Sequence, residues 1–139
     1  MLIRRSSMYA LHAVAILAAS PGVYHSSEEI RDLSGIPGNY LAKLLGHLRR
    51  AGIVEGRKGW GGGFRVPEAA LSRPVRDILD VVEGDAMDPV GGCLFGFPSC
   101  DEEHPCPLHP YWEEIGAVYR RMLDETRIAD LGRFRPRRP

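Results

Sequence analysis

No apolar run in the sequence approaches the roughly 18 to 20 consecutive residues of a membrane-spanning helix. The chain is therefore expected to be soluble, with no membrane partner. Met1 to Arg5 followed by the short apolar stretch Ala10–Ser20 has the outline of a secretory signal, but His12 interrupts it and the segment suits an alanine-rich helix equally well. Cysteine is scarce: three residues, an odd number, with no Cys-x2-Cys pair. In a cytosolic chain this points to metal or redox chemistry rather than disulfide stapling. There is no Ser-His-Asp order, no dithiol and no phosphate-binding loop, because the glycine-rich stretch at 59–63 lacks a Lys-Ser/Thr ending and is too compact for a dinucleotide fingerprint. An enzyme, for instance a thiol redox catalyst using Cys100 or Cys106, is thus not expected.

Net charge is also absent, the formal sum being zero, yet the charges are segregated. Residues 1–73 hold ten lysines and arginines against five acids, a net of +5; residues 74–126 hold three against twelve, a net of −9; the rest, from Arg127, carries +4. A basic front half can meet phosphate while the acidic middle faces elsewhere.

The 139 residues, 44% of them apolar, suffice for one globular domain with an appendage. A first helix is expected over Ser6–Ala19, stopped by Pro21-Gly22. A second starts at Ser26 or Ser27, where Ser26-x-x-Glu29 has the form of a capping box, with Ile30 and Leu33 as its buried side, and ends at Ser34-Gly35. Asn39–Arg50 then places Tyr40, Leu41, Leu44, Leu45 and Leu48 at helical spacing and shows Lys43, His47, Arg49 and Arg50 on the other face. Two short helices about a glycine-containing turn make a helix-turn-helix with the second as recognition helix. Ile53–Gly56 and Phe64–Val66 read as short strands flanking Arg57-Lys58-Gly59-Trp60-Gly61-Gly62-Gly63, a wing whose glycines let backbone approach a phosphate chain, whose Arg57 and Lys58 supply charge, and whose Trp60 can wedge or stack.

Pro74 opens a helix over Val75–Glu83, ended by Gly84. Residues 85–109 lack periodicity and are too long for an idle connection. A last helix is expected over Tyr111–Arg127, with Trp112, Ile115, Val118, Tyr119, Met122 and Leu123 on one side, a stripe suited to pairing with a second copy or to folding back on its own domain. The fold class is thus mainly α with a small β-hairpin: a winged helix-turn-helix over 1–84, a cysteine-rich loop over 85–110, a long C-terminal dimerisation helix over 111–131, and a disordered arginine and proline tail over 132–139 adding weak charge contacts to DNA.

Cys93-x6-Cys100-x5-Cys106-x2-His109 gathers every cysteine of the chain and a histidine into one segment. Thiolate and imidazole suit an iron-sulfur cluster or zinc; structural zinc usually takes paired Cys-x2-Cys knuckles, so the spacing leans to iron-sulfur, and metal-free thiols sensing by disulfide formation are the alternative.

The sequence resembles the winged-helix regulators that include the iron-sulfur cluster regulator IscR and the nitric-oxide sensor NsrR. The likeness spans nearly the whole chain: Tyr9-Ala10, Ile36-Pro37-x-x-Tyr40-Leu41 with Leu44-x-x-Leu48, Gly52-Ile53-Val54, Gly59-x-Gly61-Gly62-Gly63-Phe64, Asp77-Ile78 through Val82-Glu83-Gly84, the three cysteines, Trp112 and Ile128–Leu131. It implies a cytoplasmic DNA-binding homodimer on a near-palindromic double-stranded operator, with the C-terminal helices crossing. It also implies DNA contacts from Gly38, Asn39, Tyr40 and Lys43, and from Arg57, Lys58 and Trp60 in the wing. Chemically, Asn39 can read adenine, Lys43 guanine or phosphate, and Arg57 or Lys58 the minor groove or backbone. Ala42 stands where the cluster regulator has an acid that tunes operator choice, so that preference does not transfer. Cys93, Cys100, Cys106 and His109 are the implied cofactor and metal ligands, for a two-iron two-sulfur cluster in preference to a four-iron four-sulfur one. In other members an acid of the partner's first helix completes the site; Met8 stands there and is a poor ligand, leaving His12, one turn on, and His104 as alternatives to His109. Cluster loading, oxidation, nitrosylation or loss is then expected to bias the angle between two winged domains.

Overall fold

The computed structural model describes residues 3–84 and 88–134. Of the segments considered above, Asp85–Met87 in the loop and positions 135–139 of the tail lie outside the described residues.

Helix α1, Arg5–Ala18, sits at the centre because its small apolar residues let other helices approach on several sides: Ala10, Ala13, Val14 and Leu17 are fully buried, and α1 packs against three other helices. Ser26 caps α2, Ser27–Ser34, by accepting the Glu29 N–H at 3.1 Å. Only half of the anticipated capping box forms, since the Glu29 carboxylate turns to His25 Nδ1 at 3.1 Å. On this helix Ile30 is buried, whereas Leu33 is 53% exposed, which corrects its expected burial. Eight residues give little more than two turns, and Ser34, buried with its Oγ accepting the Ile36 N–H, takes the inward position instead.

Gly35, at φ 72°, ends α2 in the left-handed region that glycine reaches without strain. Helix α3, Gly38–Arg50, buries Leu41, Leu44, Leu45 and Leu48 on one side and exposes Lys43, Arg49 and Arg50 on the other. The hairpin pairs β1, Glu55–Arg57, with β2, Gly63–Arg65, in antiparallel register Glu55↔Arg65, Gly56↔Phe64 and Arg57↔Gly63. The ladder starts two residues later than the apolar run suggests because the N–H groups of Ile53 and Val54 donate to the Leu48 carbonyl at the end of α3. Those two residues are buried as the root of the wing.

After a 3-10 turn at Glu68–Ala70 comes α4, Arg76–Glu83, which buries Ile78 and Leu79. Helix α5, His109–Glu125, begins two residues before the expected start and ends where Thr126 turns extended. The chain then returns to the domain: Val75 N–H donates to Thr126 and Ile128 N–H to Arg73, both at 2.9 Å, and α6, Ile128–Leu131, packs against α1. The apolar stripe of α5 is thereby divided. Tyr119 and Leu123 face the core, while Ile115, Val118 and Met122 are exposed and border a groove of ≈ 520 Å³ with Ile3 and Tyr111. Among the described residues no helix is long and apolar enough to cross a membrane.

Candidate cysteine site and nucleic-acid face

The segment before Cys93 is fastened to α5. Arg120 reaches Asp88 Oδ2 through both Nε and Nη2 at 2.8 Å, Asp88 Oδ1 accepts the Val90 N–H, and Val90 is buried. Trp112 donates its indole N–H to the Gly92 carbonyl at 2.7 Å. At the far end, His109 N–H donates to the Cys106 carbonyl at 3.0 Å, so the last cysteine and the first residue of α5 share one turn.

Between these anchors Cys93, Cys100, Cys106, His104 and His109 line one cavity of ≈ 210 Å³, together with Phe95, Phe97, Ser99 and Asp101. The Cys93 thiol is held below its ordinary value, first by the N–H of Phe95 and further by those of Phe97 and Gly96 and by the Cys100 thiol, against the opposing effect of lost hydration. Loss of hydration pushes the Cys100 thiol up, and its contact with Cys93 adds to this. The two neighbouring thiols are thus shifted in opposite directions, Cys93 down and Cys100 up.

The histidines differ. His109 Nδ1 is buried without a hydrogen-bond partner, while its Nε2 lies 3.5 Å from Glu113. His104 is 83% exposed and faces Asp101, whose Oδ1 also accepts the N–H groups of Glu103 and His104. His12 lies on α1 and does not border the cavity; its Nε2 is buried and unpartnered, and burial lowers its pKa. Three thiols and an imidazole with an orphaned buried nitrogen are the donor chemistry an iron-sulfur cluster takes. Among the described residues no three Cys, His, Asp or Glu side chains are already drawn together in metal-holding geometry, so the donors border one space without converging on a point.

The second candidate surface joins α3 and the wing. Gly38, Asn39 and Lys43 are exposed on the first turns of α3, while Tyr40 is half-buried, its ring 5.3 Å from that of Tyr9. Trp60 at the wing tip is fully exposed, with Lys58 beside it. The wing closes tightly: a Cβ at Gly62 would collide with the Arg57 carbonyl oxygen, and one at Gly63 with that of His25. Arg57 is not a free-swinging charge. Its Nη2 donates to the Gly61 carbonyl at 3.0 Å and its guanidinium carbon sits over the Tyr24 ring, 4.3 Å from the centroid. Sequence reasoning missed Tyr24; its one local signal is an aromatic residue between the Pro21-Gly22 turn and the Ser26 cap.

Residues 3–133 match the family model described as Rrf2, iron-dependent transcriptional regulator. A putative HTH-type transcriptional regulator of Aquifex aeolicus is 34% identical over 125 residues, covering 88% of this chain and 85% of that protein. The HTH-type transcriptional regulator IscR of Cereibacter sphaeroides is 31% identical over 129 residues, covering 91% and 82%. In structure, CymR (YrzC), the global cysteine regulator of B. subtilis, superposes with a TM-score of 0.75 at 25% identity, covering 96% of this chain and 97% of that one.

Proposed function

This chain belongs to the Rrf2 family of transcriptional regulators, and from that premise we propose that it binds operator DNA as a homodimer and that an iron-sulfur cluster on Cys93, Cys100, Cys106 and His109 controls the binding. The observation that carries the proposal is the single cavity shared by the three thiols and by His109, whose Nδ1 is buried without a partner. The match to a family described as iron-dependent and the likeness to an IscR support it. When bound, the cluster supplies a centre sensitive to oxidation, nitric oxide and iron supply; a two-iron two-sulfur type suits a three-cysteine, one-histidine donor set.

The chain's own residues carry the rest. Asp88–Arg120 and Trp112–Gly92 couple the cysteine loop to α5. Arg76 pairs with Asp124 between α4 and α5, and Ser7 donates to Glu83 between α1 and α4. Helix α4 packs on α3, so a change in the loop has a continuous route of packed elements to the recognition helix. Gly38, Asn39, Tyr40 and Lys43 then serve the major groove, and Arg57, Lys58 and Trp60 the backbone or minor groove. The exposed Ile115, Val118 and Met122 supply the apolar face for a second copy, which places two recognition helices on one duplex.

The test is visible absorption with iron and sulfide analysis on protein purified without oxygen, wild type beside Cys93→Ala, followed by binding to a duplex that the wild type selects from a randomised pool. Charge-transfer bands lost in the variant, with altered affinity on cluster loss, are expected. An iron-free wild type overturns the cluster. A second reading then stands, thiol sensing by the same regulator, which the placing of Cys93 and Cys100 on one cavity with a lowered Cys93 thiol favours and to which the likeness to a cysteine regulator adds weight.

A further inference from the structure

The face of the wing that carries Arg57 continues beyond the hairpin. His25 pairs with Phe64 as an isolated antiparallel bridge, its N–H and carbonyl both bonded to that residue at 2.8 Å. The segment before α2 therefore lies along β2 as a third row, with Tyr24 opposite Arg65 and Arg65 opposite Glu55. Because side chains alternate along each row, Glu55, Arg57, Arg65 and Tyr24 share one face. Gly63, opposite Arg57 in β2, has no side chain to separate Arg57 from the Tyr24 ring.

The contacts on this face form a chain. Glu55 Oε2 accepts from Arg65 Nε at 2.9 Å, and the Gly22 carbonyl accepts from Arg65 Nη1 at 3.3 Å. Arg65, fixed at those two points, sits over the Tyr24 ring at 4.6 Å from its centroid, and the same ring carries Arg57 at 4.3 Å. Arg57 spends one donor on Gly61, and its other N–H groups make no hydrogen bond among the described residues. A neutral π-face holds the guanidinium in place without cancelling its charge, whereas a carboxylate would do both.

The geometry points to Tyr24 as a positioning residue for DNA binding, which stacks on Arg57 and, itself held by Arg65, presents an ordered and uncancelled guanidinium to a backbone phosphate. The inference rests on the reading of the wing as a DNA contact. What the stack contributes is order: a free arginine loses its rotamer freedom on meeting phosphate, whereas here much of that loss is already incurred on folding.

The experiment measures affinity for the duplex selected by the wild type from a randomised pool, as a function of salt, for Arg57→Ala, Tyr24→Leu, the double variant and Tyr24→Phe. Arg57→Ala is expected to bind less tightly and to lower the salt slope by about one. Tyr24→Leu is expected to weaken binding roughly fivefold on its own and not at all in the Arg57→Ala background, and Tyr24→Phe to bind as the wild type does. Successive ring fluorination of a phenylalanine at position 24, which weakens the quadrupole while nearly preserving size, is expected to weaken binding step by step, and it answers the question even if Tyr24→Leu does not fold. Equal losses from Tyr24→Leu with and without Arg57, or indifference to fluorination, overturn the positioning role and leave the wing as a DNA contact. An unchanged affinity in Arg57→Ala removes the wing arginine from the DNA contact and this inference with it.

Discussion

Trp112 and Gly92 are joined by a 2.7 Å hydrogen bond from the indole N–H to the carbonyl, so α5 grips the chain at the residue before Cys93. Trp112→Phe keeps the ring and removes this donor. Overall stability should fall by no more than about 1 kcal/mol, the net worth of one partly exposed hydrogen bond. Amide exchange around Gly92 to Gly96 should accelerate well beyond that of the α1 core. Unaltered exchange in the loop would show that the bond does not restrain it.

His109 and His104 border the same cavity in different states, one with a buried orphaned nitrogen and one exposed beside an acid. Under the cluster proposal His109→Ala should strip or shift the visible bands of anaerobically purified protein, and His104→Ala should leave them intact. Bands that survive His109→Ala and vanish in His104→Ala would reverse the assignment.

Gly63 has φ 135° and a neighbouring carbonyl where a Cβ would stand. Gly63→Ala should therefore break the bridge between His25 and Phe64 and cost more than about 3 kcal/mol if the wing is to stay docked. Denaturant melts of the pair, with amide exchange of His25 and Phe64 reporting on the bridge, measure this. A variant as stable as the wild type with unchanged protection of those two amides contradicts the geometry.

Burial keeps the pKa of His12 below its ordinary value of 6.5. Above that pH the imidazole is neutral in both folded and unfolded chains and contributes no pH dependence. As pH falls below it the unfolded chain takes up the proton first, so stability declines until the folded-state pKa is also passed. His12→Leu should flatten this part of the acid limb. Equal slopes in wild type and variant between the two pKa values would refute the assignment to His12.

Much of the winged helix-turn-helix is legible along the chain because its signals are local. The leucine spacing of α3 is answered by burial of Leu41, Leu44, Leu45 and Leu48, and the Ser26 cap and the Gly35 stop mark the ends of α2. Local signals also misled where a neighbouring group competed or the helix was short. Leu33 has the right spacing for burial but is left outside by a two-turn helix, and Glu29, placed for a capping box, finds His25 nearer. The cysteine spacing identified the ligand candidates, and the fold added that, of the two histidines bordering the cavity, His109 has a buried nitrogen without a partner.

The sequence by itself determined the helical frame, the charged wing and the candidate sulfur and nitrogen side chains, since periodicity, caps and side-chain chemistry are properties of neighbouring residues. Only the tertiary structure decided that Arg57 rests on Tyr24, that Arg120 and Trp112 hold the cysteine loop, and that the apolar stripe of α5 divides between core and surface. Each of these depends on residues separated by 20 or more positions, as with Trp112 and Gly92, or on the return of the chain through Thr126 to Val75 and Arg73. Such meetings are set by the path of the whole backbone, and no pattern within one helix or strand encodes them.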